Sequence, residues 1–340
     1  MSRPILVAAL CAPLAVPALA DPLPSWDDAG AQARIVAFVD SVTEEGGAGY
    51  VEPSRRIAVF DNDGTLWSEQ PAYFQLFFAL DVLKAEAEKD PAILTSPALK
   101  AGAAGDLEAL AATGMDGLLE VIEVSHAGLS TEAFQARARD WATTAVHPGS
   151  GLTYAQMTYA PMVELLGYLR DNGFSTWIVS GGGVDFIRGF AEAAYGIPPW
   201  QVVGTRGGTA WDPVSKTVMK TGGVTLIDDK EGKPVGIAQQ IGVRPILAFG
   251  NSDGDFQMLD YVTSGEGPSL GLLVHHTDAE REFAYDREGH IGVLNQGLAK
   301  YEAMLIIPVY YVVSTLLTML SGELLYQTYK LFTRSRFSAF

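Results

Sequence analysis

Arg56-Ile57-Ala58-Val59-Phe60-Asp61-Asn62-Asp63-Gly64-Thr65 passes from apolar to acidic in a single step. Four consecutive apolar residues that stop at an aspartate mark a short strand buried on both faces, as in the middle of a parallel sheet. Asp61 and Asp63 then stand two apart at the strand's end, ahead of a glycine turn. From there they can face one point in space, one as a nucleophile and the other moving a proton.

Outward from this stretch, residues 71–144 are Ala-rich and read as helix throughout, with no strand pattern among them. Alternation then sets in: helix over 160–172, strand 174–179, helix 184–195, strand 201–205, helix 234–241, strand 245–249, helix 255–261 and strand 269–274. A lead-in helix covers 31–44. The pattern specifies an α/β fold, a three-layer Rossmann-like parallel sheet with an all-helical insertion after its first strand.

Three more polar clusters follow expected strands, at the carboxyl edge where open α/β sheets build their sites. Ser180-Gly181-Gly182-Gly183 offers a hydroxyl and free backbone N–H groups at a helix start, suited to an anion. Lys230-Glu231-Gly232-Lys233 leads into a helix with Pro234 in its first turn. Gly250-Asn251-Ser252-Asp253-Gly254-Asp255 is an oxygen-rich loop suited to a hard cation.

In these four segments the chain resembles the haloacid dehalogenase superfamily, in its phosphoserine-phosphatase-like branch. Asp61, Asp63, Gly64 and Thr65 meet the first motif in full, and Ser180 closes a hydrophobic strand as the second requires. Lys233 fits the third through its spacing to Ile237, with Lys230 as the alternative. Asp255 meets the fourth, but Asn251 stands where that motif has its first aspartate. The resemblance runs over residues 56–298, and it makes the helical insertion a cap domain. It implies a Mg2+-dependent hydrolase of small phosphomonoesters. Asp61 would be the nucleophile that forms an aspartyl-phosphate, and Asp63 the acid and then the base. Ser180, Gly181 and Lys233 would hold the phosphate, and Asp61, Asp63, Asn251 and Asp255 the metal. The asparagine costs the metal site one negative charge. The other reading left open is a catalytically degenerate phosphate-ligand binding or sensing protein tethered to the membrane.

The composition agrees. The 340 residues carry 23 Lys+Arg against 40 Asp+Glu, a net charge of −17, which excludes a nucleic-acid-binding surface but not a local phosphate site. Hydrophobic residues reach 48%, and the excess gathers at the two ends. Residues 1–20 have a basic start, an apolar run and Ala18-Leu19-Ala20, the pattern of a secretory signal peptide. The single cysteine, Cys11, falls within it, so the mature chain would have no disulfide. Residues 303–322 carry no charge and as a helix would span about 30 Å, the thickness of a bilayer core. Residues 323–340, with Lys330, Arg334 and Arg336, form the basic flank expected on the cytoplasmic side. The expected organisation is therefore a signal peptide at 1–20, a core at 21–66 and 150–302 and a cap at 67–149. A membrane span at 303–322 and a tail at 323–340 would hold the domain on the periplasmic side of the inner membrane.

Other signals read as structure. His275-His276 has no cysteine or further histidine near it and is taken as a strand-end pair. Trp67, Tyr73, Phe74 and Phe77 are read as cap packing rather than an aromatic cage for a quaternary ammonium. Asp228-Asp229 is read as a solvated turn, and Gly207-Gly208 as a hairpin connection.

Overall fold

Strand β1 (Ile57–Phe60) is buried along its whole length because a parallel strand pairs with it on each side. The computed structural model to which it belongs describes residues 21–294 apart from 27, 28, 281, 286 and 288–290. The expected signal peptide, membrane span and basic tail lie outside these residues. Among the described residues no helix is long and apolar enough to cross a membrane.

Helix α1 (Ala29–Thr43) precedes β1. After it come α2 (Phe74–Lys89), α3 (Pro97–Ala104), α4 (Leu107–Ala112), α5 (Gly114–His126) and α6 (Thr131–Thr144), all inserted before the next strand. Then follow α7 (Ala160–Asp171), β2 (Ser175–Gly183), α8 (Val184–Tyr195), β3 (Val202–Asp212), β4 (Thr217–Leu226), α9 (Gly232–Gln240), β5 (Leu247–Gly250), α10 (Phe256–Thr263) and β6 (Leu270–Leu273). The strands form one sheet in the order β4-β3-β2-β1-β5-β6, parallel except for the β3–β4 hairpin.

Period-two alternation divides the sheet's apolar side chains between its faces. Ala58, Phe60, Ile178, Val202, Leu247 and Phe249 pack with α1, α7 and α8 in one layer. Ile57, Val59, Val179, Val203 and Ala248 pack with Ile237, Met258, Leu259 and Val262 of α9 and α10 in the other. This is the three-layer α/β architecture. The inserted helices build a small cluster of their own around Leu80, Leu83, Leu99 and Val121. They also share the main core: Phe74, Phe78 and Val82 of α2 and Phe134, Ala138 and Ala142 of α6 belong to it. Helix α6 reaches α8 at Gly189, where a methyl would meet the Gln135 carbonyl oxygen at 2.6 Å, so only glycine admits this approach.

Two expectations need correction. Gly207-Gly208 is not the hairpin turn; both residues lie within β3, opposite Val224 and Gly222. The turn falls at 213–216, where the Asp212 carboxylate accepts the backbone N–H groups of Val214 (3.0 Å) and Ser215 (3.2 Å). A side-chain-capped Asp-Pro turn outcompeted the paired glycines. Asp228 is not solvated either: it is 0% exposed, and among the described residues neither of its carboxylate oxygens has a hydrogen-bond partner. The favoured reading of the aromatics holds for Trp67 and Phe74, which are fully buried and packed on each other, but not for Tyr73, which is 45% exposed and lines the cavity at the sheet's carboxyl edge.

Candidate active site

The carboxyl ends of β1, β2 and β5 open into a cavity of about 650 Å³. Asp61, Asp63, Ser180, Gly181 and Lys233 line it, and Asn251 and Asp255 stand directly behind. Lys233 comes in from the first turn of α9 and is buried. Its ammonium donates to Asp61 Oδ1 at 2.7 Å, to Asp255 Oδ1 at 2.5 Å and to the Val179 carbonyl at 3.1 Å. Lys233, not Lys230, is therefore the lysine at this site; Lys230 sits in the preceding turn with φ 51°.

Each position follows from local structure. The Asp61 N–H bonds the Phe249 carbonyl, which carries the sheet's pairing one residue past β1. Gly64, at φ +75°, reverses the chain where a methyl would strike Asn251 Nδ2 at 2.1 Å and Glu69 Oε1 at 2.5 Å. Trp67 Nε1 donates to Asp63 Oδ1 (2.8 Å) and fixes that carboxyl. Strand β2 runs on past the expected 179 because a register shift between Ser180 and Gly183 lets the glycines keep pairing with β3. Ser180 Oγ accepts the Gly182 N–H (3.0 Å), and Gly181 stays exposed at the cavity.

Charge is unevenly distributed. Desolvation, with the nearby Asp255 charge, pushes the Asp61 carboxyl well above the usual carboxylate range, against the pull of Lys233. Burial raises Asp63 as well, opposed by the Trp67 hydrogen bond. Burial works to lower the Lys233 ammonium, but Asp255 and Asp61 outweigh it and hold the lysine charged. Among the described residues no group of three His, Cys, Asp or Glu side chains closes around a point. The groups that could donate to a metal are all oxygens, from carboxyls and backbone carbonyls, and the Lys233 ammonium stands beside them. That set suits a hard cation, and the surplus of buried acid is what such an ion would offset.

Sequence reasoning missed several residues. Glu69 is buried, lines the cavity and accepts hydrogen bonds from Asn251 Nδ2 (2.7 Å) and the Tyr285 hydroxyl (2.6 Å). Gln75 of α2 accepts the Gly183 N–H at 2.8 Å and meets His126 Nε2 at 3.0 Å. His126 Nδ1 faces the Ile122 carbonyl, and burial holds this imidazole down to about 4, so it is neutral near pH 7. Lys220 is buried against Asp185 at 2.6 Å. The contacts of Glu69, Gln75 and Lys220 span 35 to 216 residues, beyond any local pattern. His276 is buried too, its ring nitrogens facing the Glu282 carboxylate (2.6 Å) and the Gly64 carbonyl (2.7 Å).

The rest of the cavity comes from the insertion and the hairpin: Leu76, Leu118, Leu119, Ile122, Val224 and Ile227. Among the described residues its only lysines are Lys220 and Lys233, each committed to a carboxylate, and no arginine lines it. Glu69, Glu123, Asp185 and Asp229 add acid.

Residues 58–260 match the family profile described as haloacid dehalogenase-like hydrolase. No curated protein matches the chain. Among solved structures, a conserved functionally unknown protein from Anaerococcus prevotii DSM 20548 is similar at 16% identity over 73% of this chain and 86% of that one, with TM-score 0.49. A phosphoserine phosphohydrolase-like protein from Francisella tularensis subsp. tularensis SCHU S4 is similar at 17% identity over 65% and 88%, with TM-score 0.37. Cytosolic 5'-nucleotidase IIIB bound to cytidine is similar at 15% identity over 88% and 93%, with TM-score 0.41.

Proposed function

This chain belongs to the haloacid dehalogenase-like hydrolase family, and from that premise we propose that it is a Mg2+-dependent phosphatase of small phosphomonoesters. The observation that carries the reading is the buried Lys233 ammonium shared by Asp61 and Asp255, with Asp63 at the same cavity mouth.

Lys233 holds Asp61 Oδ1, which leaves the other oxygen to attack phosphorus. As that bond forms, the bond from phosphorus to the leaving oxygen breaks. Asp63, whose carboxyl is raised by burial, gives its proton to the departing alkoxide. The Asp63 carboxylate then takes a proton from a water that attacks the aspartyl-phosphate, releasing phosphate and restoring Asp61. Ser180 Oγ–H, the Gly181 N–H and Lys233 are placed to carry phosphate oxygens, and phosphoryl transfer depends chiefly on such positioning. Asp61, the Asp63 backbone carbonyl and the acids beside them would hold Mg2+, which when bound neutralises charge on the phosphoryl oxygens. The neutral His126 does not compete with Asp63 as the acid.

The apolar wall, the paired lysines and the surplus acid favour a leaving group that is uncharged or cationic. Export and a C-terminal anchor are part of the proposal and rest on residues 1–20 and 303–322 alone. The degenerate reading has less support, because Asp61, Asp63 and Lys233, the residues that the phosphatase reading needs, line one cavity. The test is phosphate release from a generic phosphomonoester by the full chain. Activity should require Mg2+ and disappear in Asp61→Asn, and no turnover across a broad substrate panel would refute the reading.

A further inference from the structure

Asn251 sits in the loop where the resemblance calls for an acidic metal ligand, and it brings no charge. The structure shows what it does. Its Oδ1 accepts the Thr65 hydroxyl (3.2 Å), and its Nδ2 donates to Glu69 Oε1 (2.7 Å). An aspartate at 251 would set a carboxylate oxygen against that of Glu69 at this distance, a like-charge contact in a buried site. The amide at 251 and the carboxylate at 69 are thus a complementary pair: one position is neutral because the other is acidic.

We propose that Glu69 supplies the negative charge that Asn251 withholds, so that Asp61 and Glu69 are the carboxylates presented to the divalent cation. Glu69 lines the cavity, whereas Asn251 and Asp255 do not. Asp255 is already committed: Oδ1 receives Lys233, and Oδ2 receives the N–H groups of Asn251 and Ser252, each at 3.0 Å. Glu69, by contrast, has both its bonds on one oxygen. The Tyr285 hydroxyl donates to Oε1 at 2.6 Å beside the Asn251 amide, and Oε2 carries no hydrogen bond among the described residues. Tyr285 is braced in turn by stacking on His276, ring centroids 4.6 Å apart at 10°. The carboxylate is therefore fixed in direction with one oxygen left over. No lysine or arginine among the described residues pairs with it, and the acids nearest to it in charge are Asp61 and Asp63. A buried carboxylate so placed gains from a cation what it lacks from the protein. The loop conformation that brings it there requires Gly64.

The inference rests on the phosphatase reading only in that a divalent cation binds beside Asp61. It is tested by calorimetric titration of Mg2+ into the full chain and by the Mg2+-dependent rise in melting temperature, neither of which needs a substrate. Glu69→Gln should weaken Mg2+ binding about 10- to 100-fold. Adding Asn251→Asp to that variant returns a carboxylate to the site and should recover most of the loss. Should Glu69→Gln fail to fold, as judged by its melt without metal, Glu69→Asp serves instead: it keeps the charge but draws it back, and should bind with intermediate affinity. Wild-type affinity in Glu69→Gln, alongside a loss in Asp61→Asn, would overturn the role of Glu69 and leave the proposed function standing. No Mg2+ binding by the wild-type chain would overturn both.

Discussion

Lys233 Nζ lies 2.7 Å from Asp61 Oδ1, across 172 residues of chain, and both groups are almost wholly buried. The ion pair joins the end of β1 to the first turn of α9, and Asp255 extends it to the loop after β5. In the proposed function this one ammonium serves stability and chemistry together.

Lys233→Met should therefore do two kinds of damage. With the cation gone, two buried carboxyls are left unpaired, and the chain should lose about 3–5 kcal/mol in urea unfolding. Turnover of the folded fraction should fall by at least about 100-fold, since a group that offsets phosphoryl charge is missing. Unchanged stability would mean that the pair is only nominal.

The acidic, largely apolar cavity sets a preference among leaving groups. Phosphomonoesters of neutral or amino alcohols should exceed otherwise similar esters bearing a carboxylate by about tenfold or more in kcat/KM. A preference for the carboxylate esters in competition assays would contradict the reading of the wall.

Gln75 links the insertion to the anion loop by accepting the Gly183 N–H and meeting His126. Gln75→Ala should loosen that loop and raise KM several-fold, with a smaller change in kcat and little change in melting temperature. Steady-state kinetics of the variant separate the two parameters.

Asp228 makes stability depend on pH in a defined direction. Burial raises its carboxyl to about 7, opposed by Lys233 and Arg206, whereas an unfolded aspartate titrates near 4. With its folded pKa above the unfolded one, its favourable contribution is complete below about pH 4 and is lost as pH rises through 7. The loss amounts to roughly 4 kcal/mol by pH 8. Asp228→Asn should raise the melting temperature at pH 8 and leave it nearly unchanged at pH 4.

How far the sequence foretells this molecule depends on how local each signal is. The buried run Ile57–Phe60 and the residues at the carboxyl ends of β1, β2 and β5 announce themselves, because strand burial and loop chemistry are written in neighbouring positions. Helix α8, expected over 184–195, has those bounds in the structure, where glycines fall on either side of it. Strand β4 was missed because its glycine-rich sequence reads as turn, and its pairing with β3 bends through three register shifts. Glu69, Gln75 and Asp228 were legible only in three dimensions. The partners of Glu69 and Gln75 come from remote elements, and the burial of Asp228 is set by α9 packing over it, with Gly236 against its carboxylate.

The central claim is that phosphate passes through Asp61. Acid-quenching the full chain during turnover of a labelled phosphomonoester with Mg2+, followed by peptide mapping, tests it most directly. The account predicts a phosphoryl group on Asp61 that hydroxylamine removes and that Asp61→Asn never acquires. Steady turnover with the label on another side chain, or with no label on the protein at all, would contradict it.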